Sequence, residues 1–433
     1  MTTTSPYSFL VATWEGGGSV GPAVTVARKL RSRGHRVRLM SDRCNQVEAD
    51  GCGLDFVAWT RAPSRPDRSK DSDVFRDWEV DTPPEQFQRV LDRIMAGPAQ
   101  AFAEDILEEL RREPADLVIS SDMLLGVPIG CEAIGQKYAV LTANISLFPM
   151  EGVPPLGPGL APAVTEEDLA LHAEVAEGNR QLFMSGLPAV NRAREHFGLA
   201  LLNSLEEQHD SAERIFLGTS RAFDFAPEQL PTNVRYVGPQ LAEPSWVQPW
   251  QSPFDLDDRR PLILLAFSTS FQDHVGVLQR IIDAAANLPV RLLVTLGGTI
   301  GADELRPAAN CRLVDSAPHD RVMPLAQLVI THGGHGTVTR SLVHGKPMIV
   351  VPHGRDQHDN AVRVTARGAG LALQATSSRE EFEAAIRRMF DEPGFAEAAA
   401  ELGDRVSREV AESSLIEELE QIAAGSRDAL RAA

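Results

Sequence analysis

The chain has 433 residues, 43% of them hydrophobic and 24% charged; that is too long for one ordinary core and excludes a disordered chain. Acidic residues outnumber basic ones 60 to 42, a net charge of -18, which argues against nucleic acid or an anionic membrane surface as the main partner. No run of about 18 apolar residues occurs, so no membrane span is expected.

The opening reads as a strand–turn–helix–strand unit. An apolar run from Tyr7 to Thr13 meets a glycine-rich turn, Glu15 to Gly21, then helical spacing from Pro22 to Arg33 closed by Gly34, then a strand from Val37 to Met40. A third strand, Leu54 to Trp59, leads into a polar stretch from Arg61 to Pro84 that is long for a connector. Helical text from Pro84 to Arg112 precedes strands at Leu117–Ser121, ended by Asp122, and at Tyr138–Leu141. A proline- and glycine-rich loop spans Met150 to Pro162, and two helices are expected at Glu166–Met184 and Val190–Phe197, parted by Gly186 and Pro188. Five prolines, two tryptophans and an acidic run between Pro239 and Pro261 mark a linker. The rhythm then restarts with strands at Leu262–Phe267, Leu292–Leu296, Arg312–Val314, Leu328–Thr331 and Met348–Val351, and the text is helical and acidic from Ser378.

Continuous apolar strands, each followed by helix or loop, are those of parallel sheets buried on both faces. The expected fold class is therefore α/β, with two Rossmann-like domains facing a central cleft. The expected divisions are residues 1–238 for an acceptor-binding domain, 239–261 for the linker, 262–405 for a nucleotide-sugar-binding domain, and 406–433 for C-terminal helices able to pack back on the first domain. The four cysteines (Cys44, Cys52, Cys131, Cys311) are scattered and suit a reducing compartment. The first residues lack the basic and apolar regions of a signal peptide, so a cytoplasmic protein is expected.

Two glycine motifs compete for the chemistry. Gly16-Gly17-Gly18-Ser19-Val20-Gly21 satisfies GxGxxG between a strand and a helix, with Asp42 ending the next strand. This is the dinucleotide fingerprint in form, but it is short, and no hydride-transfer constellation accompanies it. The stronger signal is PHDRVMPLAQLVITHGGHGTVTRSLVHGKPMIVVPHGRDQHDN, residues 318–360. There a strand runs into His332-Gly333-Gly334-His335-Gly336-Thr337 and a helix, so that backbone N–H groups at the helix start can face a diphosphate. Thr337 adds a hydroxyl and His332 a ring N–H, while Asp356-Gln357 suits a polyhydroxyl ligand. Six histidines between His319 and His358 show no strong zinc spacing, so no metal is expected. Asp255-Leu256-Asp257 reads as a solvated turn rather than a metal-nucleotide motif.

HGGHGT, GKP and DQ, with PHDRVMP upstream, resemble the nucleotide-binding motif of family 1 glycosyltransferases, nearest in look to the actinobacterial antibiotic and macrolide type with the GT-B fold. The resemblance implies that His332, Gly334, His335, Gly336 and Thr337 hold the donor diphosphate. It also implies that Asp356 and Gln357 contact the sugar, and that Ser268-Thr269-Ser270 and Ala317 border the donor. The acceptor would lie against Trp14, Trp78, Asn144, Phe148 and Met150. No resident cofactor is implied: the partners are a nucleotide-sugar donor, a small-molecule acceptor and at most a second copy of the chain.

Three positions depart from the family pattern. Ser19 stands where the family has its usual catalytic histidine, while the partner aspartate of that dyad falls on Asp122. The expected catalytic residues are therefore Asp122, Glu15 and Ser19, a carboxylate deprotonating the acceptor with Ser19 orienting it. An acidic acceptor, or transfer to carbon or sulfur, would need less base. Ser316 stands where plant-type members have a tryptophan under the base, and Arg340 where they have a ribose-binding glutamate, which favours a thymidine diphosphate sugar and leaves UDP-sugars open. The expected function is inverting transfer to a polyketide or aromatic aglycone; a nucleotide-sugar epimerase and a non-catalytic binding relative are the alternatives.

Overall fold

The computed structural model describes residues 6–16, 18–80, 82–242, 250–255, 257–267, 274–298 and 300–432, the side chains beyond 426 excepted. The strands form two wholly parallel sheets. The first contains β1 (Ser8–Ala12), β2 (Arg36–Ser41), β3 (Asp55–Ala58), β4 (Leu117–Ser121), β5 (Tyr138–Thr142), β6 (Ile215–Leu217) and β7 (Val234–Tyr236), in the order β3-β2-β1-β4-β5-β6-β7. The second contains β8 (Leu262–Ala266), β9 (Arg291–Thr295), β10 (Cys311–Val314), β11 (Leu328–Thr331), β12 (Met348–Val350) and β13 (Gly370–Ala372), in the order β10-β9-β8-β11-β12-β13.

Parallel strands need cover on both faces, and alternate residues supply it. In β1, Phe9 and Val11 join one core with Leu30 and Leu39, while Leu10 and Ala12 join another with Trp59 and Phe102. In β8, Ile263 and Leu265 pack with Ile281 and Phe382, and Leu262 and Leu264 with Val338 and Leu402. Each buried side chain of this kind contributes about 1.5–3 kcal/mol. The last helix, Leu415–Ala432, returns to the first sheet, where Leu415, Leu419 and Ala423 complete the core around Leu30.

Both sheets reverse strand direction of growth at one point, between β1 and β4 in the first and between β8 and β11 in the second. Crevices at such points, beyond the carboxyl ends of the strands, are where open α/β sheets hold ligands. The loops after β1 and β4 carry Ser19 and Asp122, and the loop after β11 carries the His332 motif.

Local structure departs from the sequence reading in three places. A single helix, Glu166–His196, runs through Gly186 and Pro188 where two were expected. Pro188 lies on the exposed side, where water can hydrate the carbonyl that loses its partner, and Gly186 lets Leu91 and Ala96 approach closely. Conversely, the helical text after Pro84 divides into Pro83–Val90, a π-turn at Leu91–Met95, and Ala99–Arg112. The strands β6, β7 and β13, three residues each, escaped the sequence reading because so short a run carries no period.

Candidate active site

The second sheet ends in a glycine-lined cradle at a helix start. β11 ends at Thr331, and Gly334 caps the helix His335–Val343; its carbonyl accepts the Thr337 N–H (3.0 Å), while the N–H groups of His335 and Gly336 stand where a helix offers no internal acceptor. Gly333 has φ +97°, and a Cβ there would fall 2.7 Å from Val350 and 3.1 Å from the Gln357 carbonyl. Gly334 lies against the His332 ring, whose Nε2 would meet an added Cβ at 2.6 Å. Gly336 is exposed with open space where a side chain would be. Burial, and then His353 and Arg355 nearby, push the His332 imidazole down to about 3. His332 is therefore neutral near pH 7, with a ring hydrogen bond to the Ala266 backbone at the end of β8.

The Asp-Gln pair lies against this cradle. Asn360 donates both to the Gly333 carbonyl (2.9 Å) and to the Asp356 carboxylate (2.8 Å). Gln357, 2% exposed, accepts the His353 N–H at 2.7 Å. Burial raises the Asp356 pKa above the ordinary carboxylate value.

Opposite, the first sheet presents Asp122. Its carboxylate is buried and pushed up to about 6 by desolvation, against hydrogen bonds from the Ser121 hydroxyl (3.3 Å) and backbone N–H groups. Ser19 Oγ donates to the Gly16 carbonyl at 3.2 Å. Ser19, Thr13, Ser120 and Ser121 line a cavity of about 10 Å³ between β1 and β4, room for roughly one water molecule. The two edges touch: Asn144, after β5, donates to Asp356 at 3.2 Å.

Known proteins share this fold. The family described as Erythromycin biosynthesis protein CIII-like, C-terminal domain, matches residues 279–422. 4'-Demethylrebeccamycin synthase of Lentzea aerocolonigenes is 28% identical, over 91% of this chain and 94% of its own. The glycotransferase of kitacinnamycin superposes with a TM-score of 0.74 at 18% identity, over 96% of this chain and 99% of that one. VinC, a glycosyltransferase solved in complex with dTDP, does so with a TM-score of 0.65 at 19% identity, over 96% and 99%. The chain is a glycosyltransferase of the GT-B fold.

Within this glycosyltransferase several expected site residues have other partners. The Glu15 carboxylate is in an ion pair with Arg68 (3.2 Å), which also holds Glu48 and Asn45. Trp14 is 6% exposed and packs edge-on to Phe75 at 6.0 Å. It forms the floor beneath the first loop rather than a wall of an acceptor pocket. Gly16 is required by Trp14, not by a phosphate, since a Cβ there would fall 1.9 Å from the indole. Asp42 is equally occupied: its carboxylate accepts the N–H groups of Glu15 (2.7 Å) and Arg65 (2.8 Å). Gly16 and Asp42 of the dinucleotide fingerprint are thus engaged in holding the loop.

The His335 ring turns away from the cradle: it is buried against Phe223, with its Nε2 2.8 Å from the Thr219 hydroxyl. Only its backbone faces the helix start. Ala317 is buried in the core of the second domain. Arg340 is bonded to Asp320 (3.2 Å) and to the Ala242 carbonyl (2.8 Å). Ser268, Thr269 and Ser270 lie outside the described residues. Thr337 is half-exposed in the first helical turn. Phe148, half-buried, stacks near Phe183 (5.6 Å) and His209 (5.1 Å); Met150 is half-buried, and Trp78 carries Lys70 over its ring at 5.5 Å.

One residue escaped the sequence reading altogether. His209 Nε2 lies 3.1 Å from the backbone carbonyl of Asp122, and burial lowers this imidazole to about 4, so it is the neutral donor that fixes the Asp122 turn. It stands in a short 3-10 turn with no motif around it, and only its distant contact reveals it. Among the described residues no group of three His, Cys, Asp or Glu side chains could hold a metal ion, and no helix is long and apolar enough to cross a membrane.

Proposed function

We propose that the protein transfers a sugar, with inversion, from a thymidine or uridine diphosphate sugar to a small specialised-metabolite acceptor such as a polyketide or aromatic aglycone. The observation that carries this reading is the pairing of an anion cradle at one sheet's crevice with a buried carboxylate at the other's, bridged by Asn144 and Asp356. The acceptor hydroxyl loses its proton to Asp122 as its oxygen bonds to the anomeric carbon. The bond from that carbon to the diphosphate oxygen breaks, and its electrons leave with the nucleoside diphosphate. The helix-start N–H groups, Thr337 and His332 stabilise the departing charge. Asp356 and Gln357 hold the sugar hydroxyls, and no resident cofactor is required.

Two observations favour Asp122 over Glu15 as the base. Its carboxylate is raised toward neutrality, as a general base needs, whereas Glu15 is held by Arg68. The occupied side chain of Arg340 puts no carboxylate at the ribose, and VinC was solved with dTDP, so the thymidine nucleotide is the first choice. The named activities of the relatives favour transfer over epimerisation or simple binding.

Thermal-shift screening against dTDP, UDP, GDP and NAD, with His332→Ala as control, tests the donor site. A nucleoside diphosphate should raise the melting temperature of the wild type but not of the variant. Stabilisation by NAD alone would sink this reading and restore the glycine turn at residues 16–21 as the binding site.

A further inference from the structure

Arg355 is one of two non-glycine residues with positive φ among the described ones, at +55°. Such a conformation costs on the order of 1 kcal/mol and persists where surroundings enforce it. Here the surroundings are the other domain. Arg355 Nε donates to Asp77 at 2.7 Å, and its guanidinium lies 4.9 Å above the Phe75 ring. Asp77 is 4% exposed and Phe75 2%, so this ion pair is largely shielded from water. Phe75 in turn rests on Trp14, at the end of β1.

The neighbours of Arg355 are gripped in the same way. Asn144 holds Asp356, and the Gly157 N–H donates to the Asp359 carboxylate at 2.8 Å. Gly159 comes so close that a Cβ would meet the His358 carbonyl at 2.5 Å, and a Cβ on Gly354 would meet Gln86 at 2.7 Å. Contacts from four separate first-domain segments therefore converge on the six residues 354–359, which include the Asp-Gln pair. The polar stretch after β3 and the loop after β5 supply most of them.

We infer that Asp77 and Arg355 form a cross-domain latch that positions Asp356 and Gln357 for the donor sugar, so that sugar selectivity depends on a first-domain residue that need not touch the sugar. This rests on the proposed donor site. The strained backbone at Arg355 sets the direction in which the next two residues enter the helix Gln357–Ala366, and Asp77 holds that strain in place through the guanidinium. Asp77 and Arg355 are positioning residues: losing either should reduce sugar recognition, and losing Asp77 should do so without reducing diphosphate recognition.

The test is titration calorimetry on the full chain with dTDP, dTDP-glucose, UDP and UDP-glucose, comparing wild type, Asp77→Asn, Arg355→Gln and the double variant. The ratio of sugar-nucleotide to bare-diphosphate affinity should fall about tenfold in each single variant, and no further in the double variant. Affinity of Asp77→Asn for the bare diphosphate should stay within about twofold of wild type. Asp77→Glu, which keeps the charge, should restore part of the ratio and covers the case of a misfolded Asn variant. An unchanged ratio in Asp77→Asn, with the diphosphate bound normally, overturns the latch alone. A wild type that binds no nucleoside diphosphate overturns the donor site and the latch with it.

Discussion

Replacing Asp122 by asparagine should stabilise the fold while removing activity, and the stabilisation should depend on pH. The carboxyl group is buried and its pKa is raised from 3.8 to about 6, chiefly by desolvation. A pKa raised on folding means that the folded state binds the proton more tightly than the unfolded chain. The stability this provides is fully present below the unfolded value and is lost as pH rises through the folded one. At 1.36 kcal/mol per unit, ionising Asp122 in the folded protein costs roughly 3 kcal/mol by about pH 8. Asparagine, of nearly the same shape, does not ionise. The stability difference between variant and wild type should therefore widen by about 1.4 kcal/mol from about pH 5 to about pH 8. Urea unfolding at both pH values, followed by tryptophan fluorescence, measures it. Transfer should meanwhile fall by about 10²–10⁴-fold, the ordinary contribution of a general base. A stability difference that stays flat with pH would refute the buried, ionising carboxylate. Full activity in the variant would refute its role as base.

The wild-type rate should itself rise with pH through about 6 as Asp122 loses its proton, and a pH–rate profile of kcat/KM should lose that limb when the acceptor is already acidic. Glu15→Gln should leave turnover within about threefold of wild type, because Arg68 already occupies that carboxylate; a loss as large as that of Asp122→Asn would reinstate it as the base. Gly333→Ala forces a side chain into a φ +97° position 2.7 Å from Val350, so dTDP stabilisation should vanish, with a cost of about 1–3 kcal/mol in unfolding free energy. His209→Ala should lower kcat and leave dTDP affinity unchanged, since the ring supports the Asp122 turn and not the cradle; unchanged kcat would show that this turn holds itself.

The strands that position the site were legible because each is a continuous apolar run: β4 and β11 match the sequence reading residue for residue. The glycine loop after β11 was legible for a different reason. Small residues, a hydroxyl and a histidine in one hexapeptide satisfy a local geometric need, a helix start that can approach an anion. The first glycine turn carries the same local text, yet Gly16 answers to Trp14 and Asp42 to the N–H groups of Glu15 and Arg65. Two turns with similar spelling thus differ in what their atoms have left to offer.

That difference marks where sequence reading stopped. His209 meets Asp122 across 87 positions, Asn144 meets Asp356 across 212, and Asp77 meets Arg355 across 278. No periodicity links residues so far apart, and His209 and Asp77 stand in no motif that would single them out. Nor could spacing reveal that Glu15 is paired or that the His335 ring points to Thr219, since the text around each suits either role. The cradle is a local structure, so its residues cluster in sequence. The carboxylate and its supporting histidine depend on distant segments of the first domain meeting, and the latch on one domain meeting the other, so donor selectivity should respond to substitutions in the first domain as well as in the second.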